Sequence, residues 1–373
     1  MGIVSSLDAR ARLERLTASL KAWGYDAAAL IPGATVFYLT GVTYHLGKRP
    51  QVLFLAGNEA AMIVPSLEVE HAGANQSFPF KLYSYTDAEG YLGAFEKVCS
   101  DLNLAGKKIA VEGIKMRVLE GQLIEKYAPG CSIISADQMF TDLRILKQES
   151  ELALMRQAIQ ISQGALEETL AEVRPGMTER QVAAILQGAM TNRGAHGNAF
   201  DITVLAGADS ALPHGTSGDT VIKPGDLLLF DYGATVNQYP ADITRTFAVG
   251  KVDPEMEKIY NVVKAANEAG IKAARPGVTA QDVDRATRKV IVDAGYGEYF
   301  THRTGHGLGL DIHEAPNIVD GNAVVLEPGM VFTVEPGIYL PGRGGVRIED
   351  NVLITETGVE VLTSFPKTLR TIG

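Results

Sequence analysis

The side chains of this chain best suited to chemistry are four acids and one histidine in its second half. The acids stand in or beside apolar runs: Asp231 in LLLFDYG, Asp242 in YPADITRTF, Glu335 in VFTVEPG and Glu349 in GVRIEDN. His306 stands in the glycine-rich stretch THRTGHGLGLDIHE. A lone ionised carboxylate at the end of a buried strand costs several kcal/mol unless it is paired or ligated. The pattern therefore predicts one site in which the five side chains share metal ions.

The charge of such a cluster indicates how many ions it holds. Four carboxylates about 4 Å apart repel by roughly 4 kcal/mol per pair at an effective dielectric constant of 20. Two divalent cations balance their negative charge. One imidazole among carboxylate oxygens is a hard ligand set, which favours manganese or cobalt and admits zinc or iron. We therefore expect two divalent metal ions, with manganese first among these identities.

Short strands must position the acids. The apolar runs 227–230 and 330–334 are typical of buried strands. Asp231 and Asp242 are eleven positions apart, a spacing that suits a hairpin that brings both acids to one place. No single strand supplies the whole site.

Side-chain alternation orients the last acid. In GVRIEDN, Arg347 and Glu349 fall on one face of an extended chain, opposite Val346 and Ile348. Arg347 is therefore expected to orient ligands by hydrogen bonds, with a partly exposed salt bridge as the alternative. Thr244 lies on the face of Asp242 and is a candidate hydrogen-bond donor to the site.

The first part of the chain has an α/β pattern. A helix is predicted over residues 5–24 and another over 93–104. Short strands are predicted for the apolar runs 27–33, 36–41, 51–57, 60–65 and 107–113. We place a domain boundary near residue 143, which gives an N-terminal α/β domain of residues 1–142 and a second domain of residues 143–373.

The second domain contains a repeated phrase. A long amphipathic helix is predicted from Leu143 to Val173. RPGMT follows it at Arg174, and RPGVT returns 101 residues later at Arg275, again between two helical stretches. This predicts an internal duplication. The alternative is that Pro and Gly punctuate helices and the two phrases arose independently.

Composition excludes several classes of protein. The chain has 373 residues, 34 of them basic and 44 acidic, and its net charge of −10 argues against nucleic-acid binding. Two cysteines, Cys99 and Cys131, indicate a reducing compartment. No run of 18 apolar residues occurs, and charged residues near the N-terminus do not fit a signal peptide. These features predict a cytoplasmic protein with no membrane partner.

The segments DYG, DITRT, HRTGHGLG followed by HE, VEPG and RIED occur in this order. The set resembles the pita-bread metallopeptidases, most closely their Xaa-Pro dipeptidase (prolidase) and aminopeptidase P branch, over nearly the whole chain and strongly from residue 143. The resemblance implies a creatinase-like α/β N-terminal domain and an α+β pita-bread catalytic domain with a pseudo-twofold duplication. It also implies metal-dependent hydrolysis of the peptide bond before proline in small peptides, by a homodimer whose N-terminal domain serves dimerisation and substrate access.

The resemblance assigns roles to individual residues. Glu335 is expected to bind metal and also to accept the proton of the attacking water, because a metal lowers the pKa of its water. His313 and His214 match positions that contact the peptide group and the leaving nitrogen of the substrate. His302 is expected near the metals without binding them, with a purely structural role as the alternative.

One position departs from the pattern. After HEAP stands Asn317, where many prolidases have an arginine that binds the terminal carboxylate of the dipeptide. We hypothesise that Arg49 supplies this cation from a partner subunit. Without such a cation the chain is expected to act as an aminopeptidase on tripeptides and longer peptides. A binding module without activity and a metal-free creatinase-like hydrolase are the remaining alternatives.

Overall fold

The chain consists of two compact units, residues 1–144 and 145–373. The structure is a computed structural model and describes residues 6–74 and 77–373. None of the helices in these residues combines the length and the apolar character that crossing a membrane requires. Each unit has its own apolar core.

The first unit is a six-stranded mixed sheet with helices around it. Its strands are β1 (Ala27–Leu30), β2 (Val52–Ala56), β3 (Glu59–Pro65), β4 (Lys81–Tyr85), β5 (Lys108–Val111) and β6 (Ser132–Ser135). Its helices are α1 (Ser6–Trp23), α2 (Ala34–Thr40), α3 (Val69–Ala74), α4 (Leu92–Asp101), α5 (Val118–Tyr127) and α6 (Asp137–Arg144). The strand order is β4-β3-β2-β1-β5-β6, so the predicted α/β class of this unit is confirmed.

One predicted strand of this unit is wrong. The run 36–41 forms most of helix α2, and the left-handed backbone of Gly41 ends that helix with an N–H bond of 2.7 Å to the carbonyl oxygen of Phe37. All six residues from Thr35 to Thr40 are buried. A short run that is buried on every side shows no periodicity, so its pattern cannot separate a helix from a strand.

The second unit has a helix pair and a sheet in each half. Its helices are α7 (Glu149–Glu172), α8 (Glu179–Asn192), α9 (Pro254–Ala273) and α10 (Ala280–Asp293). The strands of the first half are β7 (Gly197–Asn198), β8 (Thr203–Ala206), β9 (Leu227–Tyr232), β10 (Ala234–Val236), β11 (Tyr239–Pro240) and β12 (Ile243–Val249). Those of the second half are β13 (Gly305–Gly307), β14 (Glu314–Ile318), β15 (Val331–Val334), β16 (Gly337–Leu340), β17 (Gly344–Arg347), β18 (Asp350–Ile354) and β19 (Val359–Val361), followed by β20 (Thr371–Ile372).

The long helix predicted from Leu143 is two helices, since α6 ends at Arg144 and α7 begins at Glu149. The backbone N–H of Lys147 donates instead to the carbonyl oxygen of Gly329, at 2.8 Å. The carboxylate of Glu151 accepts the N–H of Gln148 at 3.0 Å, a bond typical of a helix start. The polar run from Lys147 to Glu151 marks this break, and the apolar stripe of α7 begins only at Leu152.

The duplication predicted from the repeated phrase is confirmed by matching contacts. Gly176 donates its N–H to the carbonyl oxygen of Ile222 at 2.9 Å, and Gly277 donates to Leu326 at 2.9 Å. Thr178 begins α8 with a capping box, and Thr279 begins α10 in the same way. In each half, the repeated phrase therefore begins the second helix and hydrogen-bonds to the segment that leads into the strands of that half.

The two main sheets carry the predicted acidic ligands at equivalent positions of their central strand pairs. Their strand orders are β20-β12-β9-β8 and β14-β13-β15-β18-β19, and both β9 with β12 and β15 with β18 pair antiparallel. Asp231 lies in β9 and Asp242 directly precedes β12, as the predicted hairpin requires. Glu335 directly follows β15 and Glu349 directly precedes β18. Each half thus contributes one pair of acids from one pair of strands.

A buried ion pair connects β12 of one half to β18 of the other. The guanidinium of Arg245 donates to the Asp350 carboxylate and to the carbonyl oxygen of Glu349, both at 2.6 Å. The side chains of Arg245 and Asp350 are 1% and 0% exposed. Lys367 donates to the second oxygen of Asp350 at 2.8 Å. The backbone of Glu349 is therefore fixed by a contact that crosses the two halves.

We expect Arg245→Met to lower the free energy of unfolding by on the order of 3 kcal/mol, because it leaves a buried carboxylate and a buried carbonyl oxygen short of donors. Urea unfolding followed by circular dichroism measures the change. Arg370→Met is the matched control, since Arg370 pairs with Glu167 at the surface and such pairs contribute at most about 1 kcal/mol. Equal effects of the two substitutions would contradict the role given to the buried pair.

Candidate metal centre

The five predicted metal ligands line one cleft of the second unit. The cleft has a volume of about 660 Å³. His302, Arg347 and the two other histidines predicted from the resemblance line it as well. The full lining is Phe200, Asp201, Thr203, Pro213, His214, Gly215, Asp231, Asp242, His302, Arg303, His306, Ile312, His313, Glu335, Arg347 and Glu349.

Two glycines allow the strand of His306 to lie close to its neighbours. A Cβ atom on Gly305 would lie 1.8 Å from the carbonyl oxygen of Thr333, and one on Gly307 would lie 2.0 Å from that of Ala315. Only glycine fits at either position. The backbone N–H of His306 also donates to the Thr333 hydroxyl at 3.1 Å, so the ring of His306 is held in the cleft.

The hydrogen bonds of His306 fix which ring nitrogen can bind a metal. Its Nδ1 lies 3.1 Å from the carbonyl oxygen of Gly307, which can only accept, so Nδ1 carries the proton. Burial lowers the pKa of His306 to about 3, so the ring is neutral and Nε2 has a free lone pair. This Nε2 faces Glu335 Oε1 at 3.3 Å and Asp242 Oδ2 at 3.5 Å. Three acceptors that converge in this way define a position for a cation.

Glu349 completes the group around that position. Ligand atoms of Asp242, His306 and Glu349 all lie within 4.8 Å of one another. Glu349 Oε2 accepts the hydroxyl of Thr244 at 2.6 Å, whereas its buried Oε1 has no hydrogen-bond partner. An ionised oxygen buried without a partner is costly, and a metal ion satisfies it. The residues present therefore fit the group of ions that the charge argument requires.

Asp231 is held by an ion pair with Arg347. The Nη2 atom of Arg347 lies 2.6 Å from Asp231 Oδ2, and the Arg347 side chain is only 5% exposed. Arg347 Nε donates to the Thr244 hydroxyl at 3.1 Å. Arg347 thus orients one acid directly and is connected to Glu349 through Thr244, which agrees with its predicted position on the face of Glu349.

A chain of directed hydrogen bonds continues from Arg347. Its Nη1 donates to the hydroxyl of Tyr339 at 2.9 Å. His302 Nδ1 lies 2.7 Å from the carbonyl oxygen of Arg303 and must carry its proton, so His302 Nε2 accepts from the Tyr339 hydroxyl at 2.8 Å. Burial lowers the pKa of His302 to about 4, which keeps the ring neutral. His302 is therefore a hydrogen-bonding partner of the tyrosine.

Three acids of the cleft, Asp242, Glu335 and Glu349, resist ionisation. Burial raises the pKa of Glu335 to about 7. Burial and then repulsion from Glu349 raise the pKa of Asp242 well above its usual value. Burial and then repulsion from Glu335 do the same to the pKa of Glu349. Without metal the cluster therefore holds protons at neutral pH, and metal binding must displace them.

Profiles of known families match both units. That of the Creatinase/Prolidase N-terminal domain matches residues 12–146. That of metallopeptidase family M24 matches residues 153–356. The chain belongs to metallopeptidase family M24.

Relatives within family M24 match over almost the full length. The Xaa-Pro dipeptidase of Pyrococcus horikoshii is 36% identical over 351 residues, which is 92% of this chain and 94% of that protein. The structure of the Xaa-Pro dipeptidase from Bacillus anthracis superimposes with a TM-score of 0.90 at 36% identity, and covers 98% of this chain and 100% of that one. The structure of the X-Pro aminopeptidase from Thermotoga maritima has a TM-score of 0.83 at 34% identity, with 95% and 99% coverage.

Two further histidines lie in the cleft of this M24 chain. The ring of His313 lies edge-on to that of His306, with 4.3 Å between ring centroids. His214 lies in a loop that is anchored by Glu179, whose carboxylate accepts the N–H groups of Ala206 at 2.7 Å and Gly218 at 2.8 Å. The structure therefore brings together all the cleft residues that the sequence pointed to in this unit.

The remaining predicted site residue, Arg49, lies in the first unit. Its side chain is half exposed and makes a two-pronged ion pair with Asp87, with bonds of 2.8 and 2.6 Å. Its role across a subunit interface stays a prediction.

Three supporting residues were missed by the sequence reasoning. Tyr339 joins Arg347 to His302, and Glu179 holds the His214 loop. Glu314, next to His313, forms a buried ion pair with Lys147. A partner 167 positions earlier leaves no local signal. Tyr339 had one signal, because alternation with the buried Ile338 points it to the side of the cleft.

We expect Glu335 to stabilise the metal-free protein at low pH and to lose this contribution as the pH rises from 4.5 through 7. The pKa of Glu335 is about 7 in the folded chain against a usual 4.5, so its contribution is full below pH 4.5 and is lost as the pH rises through 7. The lowered pKa values of His302, His306 and His313 act in the opposite direction, because these rings lose protons in the unfolded chain around pH 6.5. The contribution of Glu335 is therefore read as the difference in the free energy of unfolding between the wild type and Glu335→Gln, and the part that is lost is on the order of 3 kcal/mol.

Urea unfolding of both proteins at a series of pH values measures this difference. It should fall as the pH rises from 4.5 through 7, and saturating manganese should abolish the fall, since bound metal keeps the carboxylates ionised. A difference that stays constant or grows over the same interval would contradict the buried acid cluster.

Proposed function

We propose that this chain is a dinuclear metal-dependent Xaa-Pro dipeptidase, which hydrolyses the peptide bond before proline in small peptides. The observation that carries the proposal is the convergence of four carboxylates and a neutral imidazole in one cleft that also contains three further histidines. The names of full-length relatives support the choice of proline peptides, since the proteins from P. horikoshii and B. anthracis are Xaa-Pro dipeptidases.

The proposed roles follow from the positions of the side chains. Asp231, Asp242, His306, Glu335 and Glu349 hold two divalent ions. Bound there, the ions supply Lewis acidity to the scissile carbonyl and lower the pKa of water.

Glu335 accepts the proton of the attacking water at a carboxylate oxygen. His313 and His214 contact the peptide group and the departing prolyl nitrogen, and that nitrogen needs a proton because the amide before proline has none. Arg347 and Thr244 keep Asp231 and Glu349 in place.

A second candidate function is an Xaa-Pro aminopeptidase that acts on tripeptides and longer chains. The structural match to the X-Pro aminopeptidase of T. maritima supports it, and so does Asn317 in place of a basic residue. A non-catalytic binding module or a metal-free creatinase-like enzyme has less support, because all five ligand positions are filled by residues that bind metals.

We also propose manganese as the native metal, a cytoplasmic location and a homodimer. The hard oxygen-rich ligand set supports manganese. Cys99 and Cys131 are both free thiols, which agrees with a reducing compartment. Equilibrium sedimentation of the purified chain tests the dimer, and metal analysis of protein purified without added ions tests the metal.

We expect the manganese-loaded protein to cleave Ala-Pro but not Ala-Ala, and Glu335→Gln to lower kcat by about 100-fold or more, because the proton acceptor is removed. Ninhydrin detection of released proline measures the rate. Glu356→Gln, in an exposed loop of the same unit, is the control and should retain wild-type kcat. Metal content measured on each variant separates loss of the proton acceptor from loss of an ion. Full activity of Glu335→Gln, or equal cleavage of Ala-Ala, would refute the proposal.

A further inference from the structure

We propose that Arg303, oriented by Asn317, binds the C-terminal carboxylate of the peptide and makes the dipeptide the preferred substrate. This inference rests on the proposed hydrolysis of Xaa-Pro bonds and adds the residue that sets peptide length. It gives the second unit its own carboxylate-binding cation.

The balance of charge in the cleft leaves one cation available. The lining includes five acids, among them Asp201, and its lysine and arginine members are Arg303 and Arg347 alone. Arg347 is fully engaged, since its three nitrogen atoms donate to Thr244, Tyr339 and Asp231. An anionic group of a substrate that enters the cleft therefore has Arg303 as its partner among the residues that line it.

The hydrogen bonding of Arg303 leaves one edge open. Its Nη1 donates to Asn317 Oδ1 at 2.6 Å. In the described part of the chain, Nε and Nη2 have no hydrogen-bond partner. The partner of Nη1 is a neutral amide, so the positive charge is not compensated. The Nε and Nη2 edge presents two parallel N–H groups, which is the geometry that binds a carboxylate with two hydrogen bonds.

The strand pairing places this guanidinium beside the metal centre. Arg303 directly precedes the segment that pairs with β14, and the N–H of Thr304 donates to the carbonyl oxygen of Ile318 at 2.9 Å. Arg303 and Asn317 are therefore neighbours on two adjacent segments of the sheet. Arg303 also lies only three residues before His306 along the chain. After burial, the charge of Arg303 also contributes to lowering the pKa of His313.

Peptide geometry explains how this arrangement selects for length. In an Xaa-Pro dipeptide the carboxylate lies one residue past the scissile bond, within about 4 Å of it. A cation on the wall of the same cleft can reach a group so close to the metals. A tripeptide has an amide at that place, which provides one neutral acceptor and leaves the guanidinium charge without a partner.

Steady-state kinetics on Ala-Pro, Ala-Pro-amide and Ala-Pro-Ala test the inference on the manganese-loaded full chain. We expect the wild type to prefer Ala-Pro to Ala-Pro-amide by about 10- to 100-fold in kcat/KM, the range for a charge-assisted pair. Arg303→Met should remove most of this preference by raising KM for Ala-Pro, and it should leave the amide unchanged. Arg303→Lys should restore part of the preference, because it retains the positive charge but lacks the two parallel N–H donors.

Three further variants sharpen the test. Asn317→Asp places a competing carboxylate against Arg303, so it should raise KM for Ala-Pro and spare the amide. Arg285→Met is the matched control on α10, where Arg285 pairs with Asp320 at the surface, and it should change neither substrate. Arg49→Met tests the alternative that Arg49 of the first unit binds the carboxylate.

Each outcome decides the inference. Equal losses on Ala-Pro and Ala-Pro-amide in Arg303→Met, or a preference that persists in that variant, would overturn it. A loss of preference in Arg49→Met with none in Arg303→Met would assign the carboxylate to Arg49 instead. If the wild type cleaves no proline peptide at all, the proposed function fails and the inference fails with it, whereas cleavage without dependence on Arg303 overturns the inference alone.

Discussion

Mutual repulsion among buried carboxylates is the constraint on which the second unit depends. Asp242, Glu335 and Glu349 surround the unprotonated nitrogen of His306, and burial raises the pKa of each acid. Such a group of acceptors is stable only with protons or cations between its members. The cluster therefore needs positive charge at one point to be stable, and metal ions of high charge density supply it without additional basic side chains.

The duplicated fold is a direct way to build such a point. Each half ends a pair of antiparallel strands with two acids, and the two halves bring those strand ends together. The supports lie behind them: Arg347 with Tyr339 on the side of Asp231, Thr244 behind Glu349, and the buried pair of Arg245 and Asp350 between the halves. A cluster with so much internal repulsion needs this scaffold, because only rigid neighbours prevent the acids from moving apart.

Local patterns in the sequence were sufficient for most of the architecture of the site. The apolar run before Asp231 and the alternation around Glu349 indicated strands whose polar residues face one place, and the repeated phrase at Arg174 and Arg275 indicated the duplication. Features that leave no local pattern in the sequence were either missed or predicted wrongly. The run 36–41 is buried on all sides, and the partner of Glu314 is distant in sequence. The position of Asn317 indicated a missing cation, but only the pairing of two strands shows that Arg303 contacts Asn317.

The most direct test of this account is the anomalous diffraction of crystals grown with manganese. The account predicts two anomalous peaks in the cleft of the second unit, about 3.5 to 4 Å apart, with one of them bound to Nε2 of His306 and both bounded by the carboxylates of Asp231, Asp242, Glu335 and Glu349. Crystals of active protein with no peak within bonding distance of His306, or with peaks outside this cleft, would contradict it.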